Sequence, residues 1–333
     1  MTSVSSSLIN KPFMLAPAGK DYLWGGNRLK VDYNKNIDLT PLAETWECST
    51  HPDGPSMVIS GEYNGWTLPQ VLKEHPDYLG TNNANSSDLP VLIKFIDAEK
   101  DLSVQVHPSD EYAMEYENGS YGKTEMWYVL DATEDAKLVY GFNQDVDEET
   151  LRQALKEGEL EKYLNTVAIE KGDVFFIPSG QVHAIGAGAV IAEIQQNSNL
   201  TYRLYDYNRR DKDGNLRELH IDKALAVSNM SSSSKPSKTT TEIKSTKEYD
   251  IEQISDCKYF QVDNVNIHTE AYATVNYNTG KETFNVLLCV DGQGILAVNE
   301  ETFNINKGDC VFVPANSVNM KLSGNMQILR TSC

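Results

Sequence analysis

The chain has 333 residues, of which 40% are hydrophobic and 23% are charged, and its formal net charge at pH 7 is −19. This composition is typical of a globular protein that is long enough for two domains. The negative charge argues against nucleic acid and anionic membranes as partners. No apolar run approaches the roughly 20 residues of a transmembrane helix. The N-terminus lacks the basic region and apolar core of a signal peptide, so we expect a cytoplasmic protein.

Short segments rich in β-forming residues dominate the sequence, and they predict sandwiches or barrels. Residues 89–98 are almost continuously apolar, which is typical of a strand buried on both faces. Residues 101–107 alternate, so that Ser103, Gln105 and His107 share one face of a strand. This polar face either contacts solvent or lines the interior of a barrel. The choice depends on partners for His107 elsewhere in the chain.

Two segments of helical character interrupt the β pattern. Residues 144–165 have acidic residues early and periodic leucines, and a second segment lies near 218–230. Residues 231–250 are rich in Ser, Thr and Lys and have little to bury, which predicts a linker or exposed loop. We therefore predict a first domain at 1–230, with a helical insertion near 144–165, and a second domain at 251–333.

The sequence contains an internal repeat that supports two related domains. Residues 170–185 and 306–322 both contain Lys-Gly-Asp, an apolar strand and a proline, at an offset of 136 residues. A weaker similarity pairs residues 125–132 with residues 285–292. Repeats of this kind indicate duplication.

The two copies differ at positions that matter for metal binding. His183 of the first copy aligns with Asn319 of the second, and Glu125 aligns with Asn285. Amides are poor ligands for a transition metal, whereas imidazole and carboxylate are good ones. We therefore expect the first copy to bind a metal and the second copy not to.

The earlier strand supplies the remaining candidate ligands. His107 and Gln105 come from one strand, Glu125 begins another, and His183 follows a third. A lone histidine is more often a core or surface residue than a ligand. Together, however, two imidazoles and a carboxylate that converge inside one barrel fit a catalytic zinc site with room for water or substrate.

Several motifs now point to a known family. The pattern KGDxxFxPxGxxHA resembles the second motif of the cupin superfamily. The combination of YLWGG, QVHP, GKTEMW, SGQVHA and YRLYDY resembles type I mannose-6-phosphate isomerase (phosphomannose isomerase) of the short bacterial form. The resemblance covers most of the chain. It implies a mainly β fold with two cupin-like, jelly-roll β-barrels, the C-terminal one degenerate.

The resemblance also implies a set of site residues, with one Zn²⁺ per chain. The short forms rely chiefly on two histidines and a glutamate for the metal. The implied metal ligands are His107, Glu125 and His183, with Gln105 beside them. The implied catalytic residues are Arg203 and Lys123, and the implied pocket residues are Trp24, Glu44, Ser103 and Glu193. Two positions differ from those of longer relatives: this chain has Asn199 in place of an Asp and Arg209 in place of a Lys.

The implied reaction interconverts D-mannose 6-phosphate and D-fructose 6-phosphate through an enediol, so the expected partner is a phosphorylated hexose. Glu193 or Lys123 is the candidate base, and we favour Glu193. The sequence has no Gly-rich loop that could bind the phosphate, so polar side chains from separate segments must bind it. The candidates are Ser103, Lys123, Arg203 and Arg209. Arg209 and Arg210 are equally well interpreted as a pair of solvent-exposed surface residues with no role in phosphate binding.

Other functions remain open at this stage. An iron-dependent cupin dioxygenase would use a similar metal site, and a cupin-type glucose-6-phosphate isomerase would share the chemistry. A non-catalytic sugar-binding double cupin is a third alternative, although it would not need to retain metal ligands in its first barrel. The sequence does not decide between a monomer and a homodimer.

Overall fold

The computed structural model of the protein describes residues 10–86, 88–210, 213–236 and 242–333. The chain forms two compact units that are both discontinuous in sequence. We call residues 19–46 and 91–239 the central unit, and residues 1–18, 47–90 and 240–333 the terminal unit.

Strands make up most of the regular structure in the described part of the chain. They are β1 (Phe13–Ala16), β2 (Ala18–Lys20), β3 (Glu44–Cys48), β4 (Met57–Val58), β5 (Val91–Ala98), β6 (Val104–Val106), β7 (Glu125–Ala132), β8 (Lys137–Phe142), β9 (Leu164–Ala168), β10 (Val174–Ile177), β11 (His183–Ile185), β12 (Ala189–Gln196), β13 (Tyr202–Tyr205), β14 (Lys244–Ser245), β15 (Tyr249–Asp256), β16 (Gln261–His268), β17 (Val275–Tyr277), β18 (Asn285–Val298), β19 (Glu301–Asn306), β20 (Cys310–Val313) and β21 (Met320–Ser332).

The helices are short. They are α1 (Arg28–Asp32), α2 (Leu68–Glu74), α3 (Asp110–Tyr116), α4 (Glu148–Glu157) and α5 (Ile221–Val227), with 3₁₀ turns at Gly61–Tyr63, Pro76–Leu79, Thr81–Asn83 and Leu160–Tyr163. Within the ranges given above, no helix is both long and apolar enough to cross a membrane.

The central unit contains two antiparallel sheets. One has the strand order β10-β7-β12-β5-β3-β2, and the other has the order β13-β6-β11-β8-β9. Ile96 and Trp127 of the first sheet pack in one buried cluster with Leu138 and Ile185 of the second. The two sheets therefore face each other across a shared core, as in a jelly roll. The predicted mainly β class is confirmed.

The terminal unit repeats the strand order of the central unit. Its sheet runs β14-β15-β16-β21-β18-β20-β1-β4, with β17 added on β21 and β19 added on β18. Read from β20 to β14, this order matches β10-β7-β12-β5-β3-β2 strand for strand. The register agrees as well, because Ile177 pairs with Glu125 and Val313 pairs with Asn285. The internal repeat predicted from the sequence is confirmed.

The helical prediction is partly confirmed. The segment 144–165 contains α4, whose N-terminus is capped by the Asp147 side chain and whose C-cap Gly158 is left-handed. The segment near 218–230 contains α5. The helix α2 was not predicted, although Thr67 and Gln70 form a capping box at its start.

The predicted linker contains regular structure at its C-terminal end. Lys244–Ser245 form β14, which pairs with β15, whereas residues 237–241 of this prediction lie outside the described residues. The contiguous boundaries at 1–230 and 251–333 stay a prediction. The compact units differ from them because β1 pairs with β20 and so joins the N-terminus to the terminal unit.

Candidate active site

Three strands of the central unit bring His107, Glu125 and His183 together. Glu125 begins β7 in one sheet, whereas His183 begins β11 in the other and His107 directly follows the neighbouring β6. All three side chains are buried, and their candidate ligand atoms lie within 4.8 Å of one another. We call these residues the metal triad.

Hydrogen bonds fix the orientation of both imidazoles. The Nδ1 atom of His107 donates to the carbonyl of Leu200 at 2.8 Å, and Nδ1 of His183 donates to the carbonyl of Gln181 at 2.8 Å. A carbonyl oxygen only accepts, so each Nδ1 carries the proton and each Nε2 presents a lone pair. The Nε2 atoms of His107 and His183 lie 3.5 and 3.3 Å from the two carboxylate oxygens of Glu125.

This arrangement fits a bound cation. The Nε2 lone pairs of both imidazoles face the carboxylate oxygens of Glu125, and Glu125 Oε1 accepts no hydrogen bond from any described residue. Burial lowers the pKa of His107 well below its usual range and that of His183 to about 4, so both rings are neutral at pH 7. Burial and the charge of Glu193 raise the pKa of Glu125 to about 7. A divalent ion would favour the ionised carboxylate and bind all three groups.

A row of side chains crosses the second sheet beside the triad. Arg203 on β13 pairs with Gln105 on β6, and Gln105 pairs with His183 on β11, so all three point to one face. Gln105 Nε2 lies 3.4 Å from His183 Nε2, while its Oε1 accepts from Ser103 Oγ at 3.2 Å. In this orientation the amide nitrogen of Gln105 faces His183, and coordination by Gln105 stays a prediction.

Alternating charges extend from the triad across the first sheet. Lys123 Nζ lies 2.7 Å from Glu125 Oε2 and 3.7 Å from Glu193 Oε1. Lys94 Nζ lies 3.3 Å from Glu193 Oε1 and 3.7 Å from Glu44 Oε2. The five buried side chains alternate in charge, so each carboxylate lies beside a lysine in a site that excludes most water.

Glu193 is held by its neighbours as a carboxylate. Its Oε2 accepts a hydrogen bond of 2.9 Å from the indole N–H of Trp127. Burial alone would raise the pKa of Glu193, but the charges of Lys123 and Lys94 outweigh burial and lower the pKa to about 2. Glu193 is therefore ionised at neutral pH, with a fixed position beside Lys123.

A cavity of about 130 Å³ opens beside these groups, in the interior of the central unit. Most of the residues that the sequence assigned to the site line this cavity. They are Trp24, Glu44, Ser103, Gln105, Lys123, Glu193, Asn199 and Arg203. Arg209 is placed elsewhere, because its guanidinium pairs with the buried Asp206 and donates to the carbonyl of Asp101.

Sequence reasoning missed four polar residues of the cavity wall, Tyr22, Lys94, Thr201 and Arg217. Lys94 did have a signal, since it and Asp97 are the charged residues of the otherwise apolar strand β5, which is buried at every position. A buried lysine is rare unless it has a partner. Arg217 had no such signal, because it follows a polar loop without periodicity.

Two guanidinium groups border the cavity. Burial first, and then the nearby charge of Arg217, lowers the pKa of Arg203 below its usual value. Arg203 Nε is buried and has no hydrogen-bond partner among the described residues, while Arg217 Nη1 lies 3.2 Å from Asp206 Oδ1. These groups concentrate positive charge locally in a protein of net charge −19. An anionic ligand would relieve the repulsion between them.

Comparison with known proteins agrees with this geometry. The family model described as phosphomannose isomerase type I, catalytic domain, matches residues 13–142, and the model described as mannose-6-phosphate isomerase, cupin domain, matches residues 250–333. The chain is 36% identical over 317 residues to mannose-6-phosphate isomerase ManA of Bacillus subtilis, covering 95% of this chain and 97% of that one. The chain belongs to the type I phosphomannose isomerase family. The family resemblance seen in the sequence is confirmed.

Further phosphomannose isomerases support the assignment. The mannose-6-phosphate isomerase of Streptococcus mutans is 35% identical, with 96% of this chain and 97% of that one covered. The crystal structure of the mannose 6-phosphate isomerase from Bacillus subtilis superposes with a TM-score of 0.88 at 32% identity, covering 96% of this chain and 99% of that one. The protein is thus an enzyme of this family, and the predicted cupin fold is confirmed.

Proposed function

We propose that the protein is a zinc-dependent aldose–ketose isomerase that interconverts D-mannose 6-phosphate and D-fructose 6-phosphate through an enediol. The observation that carries the proposal is the buried metal triad beside a cavity bordered by Arg203 and Arg217. Membership in the phosphomannose isomerase family supports the substrate. A dioxygenase would not need this concentration of cations, and a purely sugar-binding protein would not need the triad.

His107, Glu125 and His183 would hold the zinc ion. Two neutral imidazoles and a carboxylate leave open positions for water or substrate oxygens, as catalytic zinc sites require. When bound, zinc supplies a Lewis acid that stabilises negative charge on a sugar oxygen. The carbonyls of Leu200 and Gln181 keep both imidazoles in the tautomer that such binding needs.

Arg203 would stabilise the negative charge that develops when a proton leaves the carbon next to the carbonyl. Its side chain points to the same face as Gln105 and His183. The guanidinium stays protonated through the reaction, and its Nε–H has no hydrogen-bond partner in the part of the chain that the structure describes. A donor fixed in place before the reaction costs no reorganisation in the transition state.

Lys123 and Glu193 would move the proton between C1 and C2. Lys123 lies between the metal triad and Glu193, at 3.3 Å from His107 Nε2 and 3.7 Å from Glu193 Oε1. Lys94 and Trp127 keep Glu193 in position. A close amine–carboxylate pair can pass a proton in either direction, which a reversible isomerisation requires. Trp24, Glu44, Ser103 and Asn199 would bind the sugar from the remaining walls.

Arg217 would contribute to phosphate binding in the place predicted for Arg209. We expect Arg217→Gln to raise KM for mannose 6-phosphate by about 10-fold to 100-fold, because a charge-assisted hydrogen bond to the phosphate is lost. The effect on kcat should be smaller, since the phosphate is remote from the reacting carbons. Steady-state kinetics of Arg217→Gln and Arg209→Gln measure both quantities. A raised KM in Arg209→Gln with a normal KM in Arg217→Gln would instead assign phosphate binding to Arg209, as predicted from the sequence.

The proposed function has a direct test. The metal-loaded protein should form fructose 6-phosphate from mannose 6-phosphate in a coupled assay. Activity should disappear after treatment with a chelator and return when zinc is added. If full activity persists in protein shown by elemental analysis to be metal-free, the metal dependence is wrong. If no fructose 6-phosphate forms with any divalent ion, the substrate is wrong.

A further inference from the structure

The terminal unit contains a cavity at the place equivalent to the active site. In the central unit, Trp127 on β7 pairs with Glu193 on β12, and both residues line the active-site cavity. In the terminal unit, the corresponding strands pair Leu287 with Arg330, and both residues line a cavity of about 270 Å³. The equivalence follows from the matching strand order described above.

A second pair of equivalent positions also lines the two cavities. Ile96 on β5 lies opposite Ile191 on β12 and lines the active-site cavity. Val265 on β16 lies opposite Ile328 on β21, and both line the second cavity. The second cavity is therefore the counterpart of the active site, and the smaller Leu287 in place of a tryptophan leaves more room in it.

The second cavity lacks the means to bind a metal. Asn285 occupies the position of Glu125, and its Oδ1 accepts a hydrogen bond of 2.6 Å from the hydroxyl of Tyr277. Asn319, which aligns with His183, is exposed to solvent. Among the residues that the structure describes, the triad of the central unit is the only group of side chains placed for metal binding.

The charged pair beside the cavity is reversed between the units. Lys94 on β5 pairs with Glu193 on β12, whereas the equivalent positions hold Asp263 on β16 and Arg330 on β21. Arg330 Nε and Nη2 donate to Asp263 Oδ2 at 3.1 and 2.7 Å. These two bonds use Nε and Nη2, which leaves Nη1 as the third nitrogen of the guanidinium. The cavity is bordered by Arg330 and Lys244, and no acidic side chain lines it.

Most of the remaining wall is aliphatic. Ile251, Ile267 and Leu322 line the cavity together with the residues named above, and they leave an interior that water solvates poorly. An engineered aliphatic cavity of roughly 150 Å³ in another protein holds benzene, so a volume of about 270 Å³ accepts a larger apolar body. A ligand that fits this surface has an apolar body and one negative charge for Arg330.

We propose that the terminal unit binds a small monocarboxylate with an aliphatic body, in a second site that does not catalyse a reaction. The carboxylate contacts Arg330 Nη1, with Lys244 adding positive charge, and the hydrocarbon fills the space next to Leu287. The proposal concerns residues of the terminal unit alone and stands whether or not the proposed isomerase function is correct.

The test is calorimetric titration of octanoate into the full-length, metal-loaded protein. We expect one site per chain with a Kd of about 1 mM or lower, which is reasonable for a ligand of this size. The neutral analogue 1-octanol should bind about 10-fold more weakly, because it cannot pair with the guanidinium. Saturating mannose 6-phosphate should leave the octanoate affinity unchanged.

Two variants assign the site. Arg330→Met keeps the length of the side chain and should weaken octanoate binding about 10-fold or more. Leu287→Trp keeps both charges but fills the cavity, and should abolish binding. Circular dichroism checks that both variants are folded, and their isomerase activity should match the wild type.

Several results would overturn the proposal. The proposal is wrong if the wild type releases no heat of binding or if octanol binds as tightly as octanoate, and neither result depends on a variant. Octanoate that competes with mannose 6-phosphate would lie in the active site. Unchanged affinity in folded Arg330→Met and Leu287→Trp protein would place the ligand elsewhere.

Discussion

His183→Ala should abolish metal binding and, with it, isomerase activity. Loss of a residue that only orients a ligand typically weakens metal affinity 10-fold to 100-fold, so loss of a ligand itself should cost more than about 100-fold. The remaining His107 and Glu125 still offer two ligand atoms, but a catalytic zinc site usually has three from the protein. Zinc content after exhaustive dialysis, measured by elemental analysis together with kcat, provides the readout.

The repeat supplies a matched control. Asn319 aligns with His183 in the second copy, and its backbone has φ +61, so glycine is the replacement that avoids strain. Asn319→Gly should keep its full zinc content and its activity. Full zinc content in folded His183→Ala protein, or equal loss in both variants, would refute the assignment of the triad.

The triad was predictable because its ligands are in recognisable motifs. His107 and Glu125 lie at strand ends, and comparison of the two copies of the repeat showed that only the first retains metal ligands. The alternation of residues 101–107 also placed Ser103 and Gln105 on the same face as His107. Local periodicity and residue type were sufficient for these positions, since both depend on a single strand.

Other features depend on pairing between distant segments. The pairing of β1 with β20 joins residues about 300 positions apart, and no local pattern indicates which strand the N-terminus will join. The same limit applies to Arg217, which reaches the cavity wall because Asp206 holds its guanidinium. Arg209 was a phosphate candidate because longer relatives carry a Lys at that position, but its guanidinium pairs with Asp206 and does not line the cavity.

The charged groups of the first sheet include residues that the sequence indicated and one that it did not. Glu193 and Lys123 were predicted from the family resemblance, whereas Lys94 was overlooked within a largely apolar strand. The structure shows Lys94 at 3.3 Å from Glu193 Oε1, a contact between β5 and β12 that requires knowledge of their register. The second copy carries Asp263 and Arg330 in these positions, so the reversal became visible only after the strands were aligned in space.

Arg203→Lys should lower kcat by about 100-fold to 1,000-fold while leaving zinc content and melting temperature near those of the wild type. A guanidinium can donate two hydrogen bonds to the enediolate or sugar oxygens, whereas an ammonium is a point charge on a flexible stem. The alternative is that Arg203 forms an ion pair between strands and matters only for stability. No carboxylate pairs with the Arg203 side chain among the described residues, and its Nε has no hydrogen-bond partner there.

The two hypotheses for Arg203 predict opposite patterns in one preparation. A structural role would lower the melting temperature and leave the folded fraction with normal turnover. A catalytic role would lower kcat in protein that remains folded and zinc-loaded, because the triad does not include Arg203. The backbone of Arg203 bonds to His220 through its N–H and carbonyl, and those bonds survive the substitution. Melting temperature, zinc content and kcat therefore separate the hypotheses, and a normal kcat in zinc-loaded Arg203→Lys protein would remove Arg203 from the catalytic residues.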